Sequence, residues 1–237
     1  MVGMRKIGLI GGMSWHSTIE YYRMINEAAC SRLGGHHSAR IVLESVDFDE
    51  VRALQLSEDW EGAGGLLADA GRRLSAAGAD AVLICTNLMH KVAPAVEAAI
   101  DVPLLHIADA VAGEARAEHI DTVGLLGTEW VMRERFYTDR LARHGIATVT
   151  PAEVDRGVVD RVIFDELTQG VVRDESRAEY VRIIEQLAAA GAQAVVLACT
   201  EIGLLVGPED SPIPVIDSAH AHARAAAAFA LEPALVG

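Results

Sequence analysis

The chain has 237 residues, room for one large domain or two of roughly 110 each. Acidic residues outnumber basic ones 34 to 20, and a formal charge of −14 argues against a nucleic-acid backbone or an anionic membrane as the main partner. Apolar residues make up 51 %, enough for a packed core and too many for a disordered chain.

No apolar run approaches the roughly 20 residues of a membrane span. Met1–Lys6 leads straight into strand-like sequence, so no cleavable signal peptide is expected. Cys30, Cys85 and Cys199 are an odd, well-separated set that fits a reducing cytoplasm better than a disulfide framework. No metal spacing stands out: there is no C-x-x-C and no H-E-x-x-H, and His220 and His222 would sit about 200° apart on a helix.

In chain order, short β-branched runs predict strands at Lys6–Ile10, Arg40–Val46, Ala81–Cys85, Leu104–His106, Thr122–Leu126, Ala147–Thr150, Ala194–Cys199 and Val215–Ile216. Ala81–Ile84 and Ala194–Leu197 are apolar throughout, as a sheet covered on both faces requires. Helical patterns lie between them. Val181, Ile184, Leu187 and Ala188 mark a helix over Tyr180–Ala189, and Ala219–Ala230 reads as another. Gly78 and Gly191 stand where helix C-caps belong. Such alternation predicts an α/β protein with parallel sheets and right-handed crossovers.

The chain also repeats itself. Ile7-Gly8-Leu9-Ile10-Gly11-Gly12 matches Val123-Gly124-Leu125-Leu126-Gly127-Thr128 at an offset of 116. Leu74–Val82 matches Leu187–Val195 at 113, and Val102–Leu105 matches Ile213–Ile216 at 111. Three matches in one order predict two homologous domains, 1–112 with 217–237 and 113–216.

Ligands gather beyond the carboxyl ends of strands in open parallel sheets. That rule selects Gly11–Ser17, Thr86–His90, Gly127–Trp130 and Cys199–Gly203, two loops per half, facing a cleft between the halves. The glycines do not fit G-x-G-x-x-G or a P-loop. Gly11-Gly12 is either a tight turn alone or a turn with amides open to an anion. Counting eight residues on from Gly78 and Gly191 makes Thr86 and Cys199 equivalent, followed by Asn87 and Thr200. Each precedes an expected helix start, at Leu88 and Ile202, which would suit a carboxylate and lower a thiol pKa. Trp15, Trp60 and Trp130 are expected to pack, Cys30 to be either core or inert surface, and His16, His36 and His37 to be solvated.

Gly11-Gly12-Met13-Ser14, Thr86-Asn87-Leu88-Met89-His90 and Ala198-Cys199-Thr200-Glu201-Ile202 together resemble the signatures of the aspartate/glutamate racemase family, from about Ile7 to Ala230. The resemblance implies two Rossmann-like halves related by a pseudo-twofold axis, with the active site in the cleft. It implies an isomerase that interconverts L- and D-amino acids without pyridoxal phosphate or any other cofactor. A small amino acid would be the partner, and a homodimer is possible. In the family, two cysteines, one per half, take and return the Cα proton. Here Cys199 holds the second position and Thr86 the first, so Cys199 is the expected base and Thr86 a proton donor. Substrate contacts are implied at Gly12, Met13, Ser14, Gln55, Asn87, Thr128 and Thr200.

Aspartate-specific members carry basic residues near Gln55 and Thr168, where this chain is neutral, which weakens strict aspartate specificity. Cys85, one residue from Thr86, reads as core; its alternative is the missing base. His90 tunes the site or packs beneath it, with packing favoured. Glu201 either orients a neighbour or stabilises the first turn of a helix. The rival functions are a related decarboxylase or cis–trans isomerase with a single cysteine, and a protein that only binds an amino acid.

Overall fold

The computed structural model describes residues 4–232. In order the elements are β1 (Ile7–Gly11), α1 (Trp15–Leu33), β2 (Ile41–Ser45), α2 (Phe48–Leu56), α3 (Trp60–Ala76), β3 (Ala81–Ile84), α4 (Ala93–Glu97), α5 (Ile107–Ala117), β4 (Thr122–Gly127), α6 (Glu129–Arg133), α7 (Arg135–Arg143), β5 (Ala147–Val149), α8 (Glu153–Asp165), α9 (Asp174–Ala189), β6 (Ala194–Ala198), β7 (Val215–Asp217) and α10 (Ser218–Leu231). Two compact units emerge, Met1–Ile107 with His222–Gly237, and Ala108–Ala221. The expected absence of a signal peptide bears partly on Met1–Gly3, outside the described residues. Among the described residues, no helix is long and apolar enough to cross a membrane.

Each unit has one all-parallel sheet, ordered β2-β1-β3 in the first and β5-β4-β6-β7 in the second. The expected strand at Leu104–His106 is only a one-residue bridge, Val82 to Leu104. Its pairing stops there because the chain turns into α5 at Ile107. That bridge stands where β7 stands in the second unit, since Val195 pairs with Val215.

The repeated sequence has a local physical cause. α3 and α9 end in the same device. The Gly78 N–H bonds the Ser75 carbonyl and the Ala79 N–H bonds the Leu74 carbonyl. In the second unit Gly191 bonds Ala188 and Ala192 bonds Leu187. Both glycines have positive φ, +79° and +99°, the conformation this helix stop requires. The chain then enters β3 or β6 directly. The last leucine of each helix packs on a glycine of the first strand: a Cβ on Gly8 would lie 3.1 Å from Leu74 Cβ, and one on Gly124 would lie 3.1 Å from Leu187 Cβ. Those glycines bring helix and sheet together rather than cradling a phosphate.

Burial drives the rest. Ile10, Leu67, Leu74, Val82, Ile84 and Val96 form the core of the first unit. Leu126, Val159, Ile184, Leu187, Val195 and Leu197 form that of the second. Truncating one such leucine to alanine costs about 2–5 kcal/mol. Three helix starts are capped by acids: Asp47 accepts from the Asp49 N–H, Asp59 from Gly62, and Asp217 from Ala219 and His220.

Candidate active site

Strand register sets the two site loops in matching places. Ile10 pairs with Ile84 in the first sheet, and Leu126 with Leu197 in the second. Thr86 and Cys199 each stand two residues past the second member of these pairs. Gly12 and Thr128 stand two past the first. The four positions therefore occupy the same edge of equivalent strands in their own units.

In the first unit, Gly12 is a turn that excludes any side chain. Its φ is +95°, and a Cβ there would meet the Val46 carbonyl oxygen at 2.1 Å. Its N–H is taken by the Thr18 hydroxyl at 2.9 Å, so the Gly11-Gly12 turn does not hold that amide open for an anion. Met13 is buried and Ser14 half-buried at the start of α1; the peptide between them is cis. The Ser14 carbonyl accepts from Thr18.

Thr86 is half-buried and Asn87 buried. Cys85, beside them, is 1 % exposed, and burial pushes its thiol pKa far up. That agrees with a core side chain on the other face of the strand. The α-helix expected from Leu88 is a 3-10 turn over Leu88–Val92, followed by the short α4. Pro94, near the start of α4, has no N–H with which to carry the ladder back across His90.

Gln55 is buried on α2, its amide donating to Met89 Sδ at 3.2 Å. Its Oε1 accepts from Arg52 at 3.3 Å. A cation therefore does stand beside Gln55, one turn earlier on α2. Thr168 is exposed, its hydroxyl donating to the Phe164 carbonyl.

In the second unit, Cys199 is half-buried at the end of β6. The expected helix at Ile202 is a three-residue 3-10 turn, too short to supply a dipole that lowers a thiol pKa. The thiol is instead pushed well above its usual range. Burial is the largest cause, the Glu201 carboxylate and its hydrogen bond come next, and Asp160 adds to them. The thiol donates to Glu201 Oε2 at 3.1 Å, and the Thr200 hydroxyl donates to the same oxygen at 2.7 Å. Glu201 thus orients its neighbours, and the Thr200 hydroxyl proton points at it.

Asp160 was not legible in the sequence, being one acid among several on α8. It accepts from the Glu129 N–H at 2.7 Å and so holds the loop after β4. Thr128 precedes that residue. Its hydroxyl is buried with no hydrogen-bond partner among the described residues. Among those residues no three His, Cys, Asp or Glu side chains form a metal-binding group.

Of the tryptophans, Trp15 is 57 % exposed rather than packed, while Trp60 lies under Lys91 at 3.7 Å. His16, His36 and His37 are exposed, as expected, and Cys30 is exposed too, which leaves the surface reading and removes the core one.

These features define a duplicated α/β protein with a threonine and a thiol at equivalent strand ends. A model of the Asp/Glu/hydantoin racemase family matches residues 10–226. The chain belongs to that family. It is 50 % identical to a candidate Asp/Glu racemase from Yersinia pestis, over 97 % of this chain and 100 % of that one, with a TM-score of 0.93. It is 33 % identical to an aspartate racemase homologue from Pyrococcus horikoshii, over 97 % and 100 %, with a TM-score of 0.85. The Picrophilus torridus aspartate racemase, 23 % identical over 95 % and 94 % with a TM-score of 0.73, shares the fold.

Proposed function

We propose that the protein is an amino-acid racemase or epimerase that works without pyridoxal phosphate, with Cys199 as principal base and Thr86 as the returning acid. Family membership supports the reaction class. The observation that carries the residue assignment is the Cys199–Glu201 hydrogen bond at a strand end matched by Thr86. The thiol proton passes to Glu201, and the thiolate then takes the Cα proton of the L-substrate. The electron pair left on Cα delocalises into the α-carboxylate, which becomes enolate-like and needs hydrogen-bond donors. Thr128, with its unsatisfied buried hydroxyl, and Asn87 are suited to supply them. The Thr86 hydroxyl gives Cα a new proton with inversion; water restores the hydroxyl proton, and the hydroxide so formed takes the proton held by Glu201, which returns thiol and carboxylate to their resting states.

The single thiol at the paired strand ends also favours a second reading, a one-cysteine decarboxylase. Electrostatics favour the racemase. Glu201 and Asp160 both put negative charge beside Cys199. That environment welcomes the α-ammonium of an amino acid and opposes the second carboxylate of a malonate dianion. The test is to incubate the protein with L- and D-amino acids in deuterated water, and separately with malonates. Deuterium at Cα supports the racemase. Carbon dioxide release without Cα exchange on amino acids would replace it with the decarboxylase. Tight binding of an amino acid with neither reaction would leave a binding protein.

A further inference from the structure

His90 is wholly buried and held at both ring nitrogens. Its Nε2 lies 3.2 Å from the Ile107 N–H, which can only donate. Its Nδ1 lies 2.8 Å from the Thr86 carbonyl, which can only accept. These partners require one form, the neutral ring with its proton on Nδ1. Burial, and then the neighbouring His106 and His222, hold the ring pKa well below the usual histidine range. His222 carries the opposite tautomer: Nε2–H donates to the Leu105 carbonyl, and Nδ1 accepts from the Tyr21 hydroxyl. Each histidine grips one side of the segment that leads into α5.

The backbone N–H of His90 also bonds the Asn87 carbonyl at 3.1 Å. One residue thus holds the carbonyls of both Thr86 and Asn87. The second unit has no histidine at the matching place. The offset of 113 that carries Ile84 onto Leu197 carries His90 onto Gly203. There the Cys199 turn is held instead by the bond from the Ile202 N–H to the Cys199 carbonyl and by Glu201.

We propose that His90 is a positioning residue for the first-half acid: its Nδ1–H bond to the Thr86 carbonyl aims the Thr86 hydroxyl, and so serves inversion but not removal of the Cα proton. This rests on the assignment of Cys199 and Thr86 made above. The two contacts of the ring can be separated by substitution. In His90→Asn the side-chain amide can replace Nδ1–H toward Thr86 but is too short to reach Ile107. In His90→Gln the side-chain oxygen can replace Nε2 toward Ile107 while the bond to Thr86 is lost.

The experiment compares wild type, His90→Asn and His90→Gln with L-aspartate, L-glutamate, L-glutamine and L-methionine in deuterated water. Deuterium entry into the L-substrate reports Cys199, and appearance of the D-enantiomer reports Thr86. His90→Gln should lower D-enantiomer formation at least about tenfold, part of the range expected for a general acid. Deuterium entry should stay within about twofold. His90→Asn should restore the ratio. An equal fall of both signals in His90→Gln, or a His90→Asn ratio no better than that of His90→Gln, would overturn the proposal. Nitrogen NMR of the imidazole in the wild type gives a second check that needs no variant turnover. An Nε2–H or charged ring at His90 would overturn it as well. No Cα deuteration by the wild type, or full deuteration by Cys199→Ala, would instead bring down the underlying assignment, and is seen before any His90 variant is made.

Discussion

The Cys199 thiol donates to Glu201 Oε2 across 3.1 Å, and that carboxylate is two residues away in the chain. The pairing has two opposed effects. It gives the thiol proton a place to go, and its negative charge keeps the proton on sulfur at rest. Thiolate therefore accumulates only as pH climbs through the raised thiol pKa. Alkylation of Cys199 by iodoacetamide should rise with pH along a limb displaced above that of an ordinary thiol, whose pKa is about 8.5. Glu201→Gln removes the charge and leaves burial, so the limb should move partway back toward lower pH. Cα exchange should nevertheless slow, because the proton acceptor is gone. An alkylation profile that does not move would show that Glu201 does not govern the thiol.

Cys199→Ala and Cys199→Ser should abolish Cα exchange, whereas Cys30→Ala, exposed on α1, should leave it unchanged. The measurement is deuterium incorporation by mass spectrometry, with circular dichroism to confirm the fold. Substantial exchange in folded Cys199→Ala would remove Cys199 from the mechanism.

Cys85 sits one residue from Thr86 yet is sealed in the core. Cys85→Ala should lower stability by roughly 1 kcal/mol, the usual cost of a small core truncation, while turnover survives. Thermal denaturation and a turnover assay on the same sample check both halves. Lost turnover at unchanged stability would make Cys85 the second acid.

Thr86 has a hydroxyl too weakly acidic to become a base near neutral pH. The maximal rate from the D-enantiomer should therefore be lower than from the L-enantiomer, with the Michaelis constants compensating, because enantiomers have equal free energy and a catalyst cannot move the equilibrium between them. Thr86→Cys should raise the D-to-L rate by supplying a thiol that can ionise within reach of neutrality. Circular dichroism followed from each enantiomer tests this. Equal maximal rates in the wild type, unmoved by the substitution, would assign the second base elsewhere.

Gly12→Ala should destabilise the first unit by about 2–5 kcal/mol, through positive φ and the close Val46 carbonyl together. A melting temperature equal to wild type would mean that this turn relaxes freely.

Much of the architecture is legible in the linear chain because its causes are local. Leu74–Val82 and Leu187–Val195 each encode a helix stop, a glycine with positive φ and the strand that follows, all within nine residues. Apolar runs mark strands buried on both faces, so β3 and β6 and the equivalence of Thr86 with Cys199 follow from counting along the chain. The electrostatics of the site depend on approach across the fold. A thiol next to a presumed helix start suggests a lowered pKa, but the helix is a single 3-10 turn, and Asp160, thirty-nine positions earlier on α8, adds its charge to that of Glu201. The tautomer of His90 likewise depends on Ile107, seventeen residues on, where the chain returns past the end of β3. Helix caps and strand patterns are set by neighbours in sequence, whereas proton affinity is set by whatever charge and burial the folded chain brings within a few ångströms.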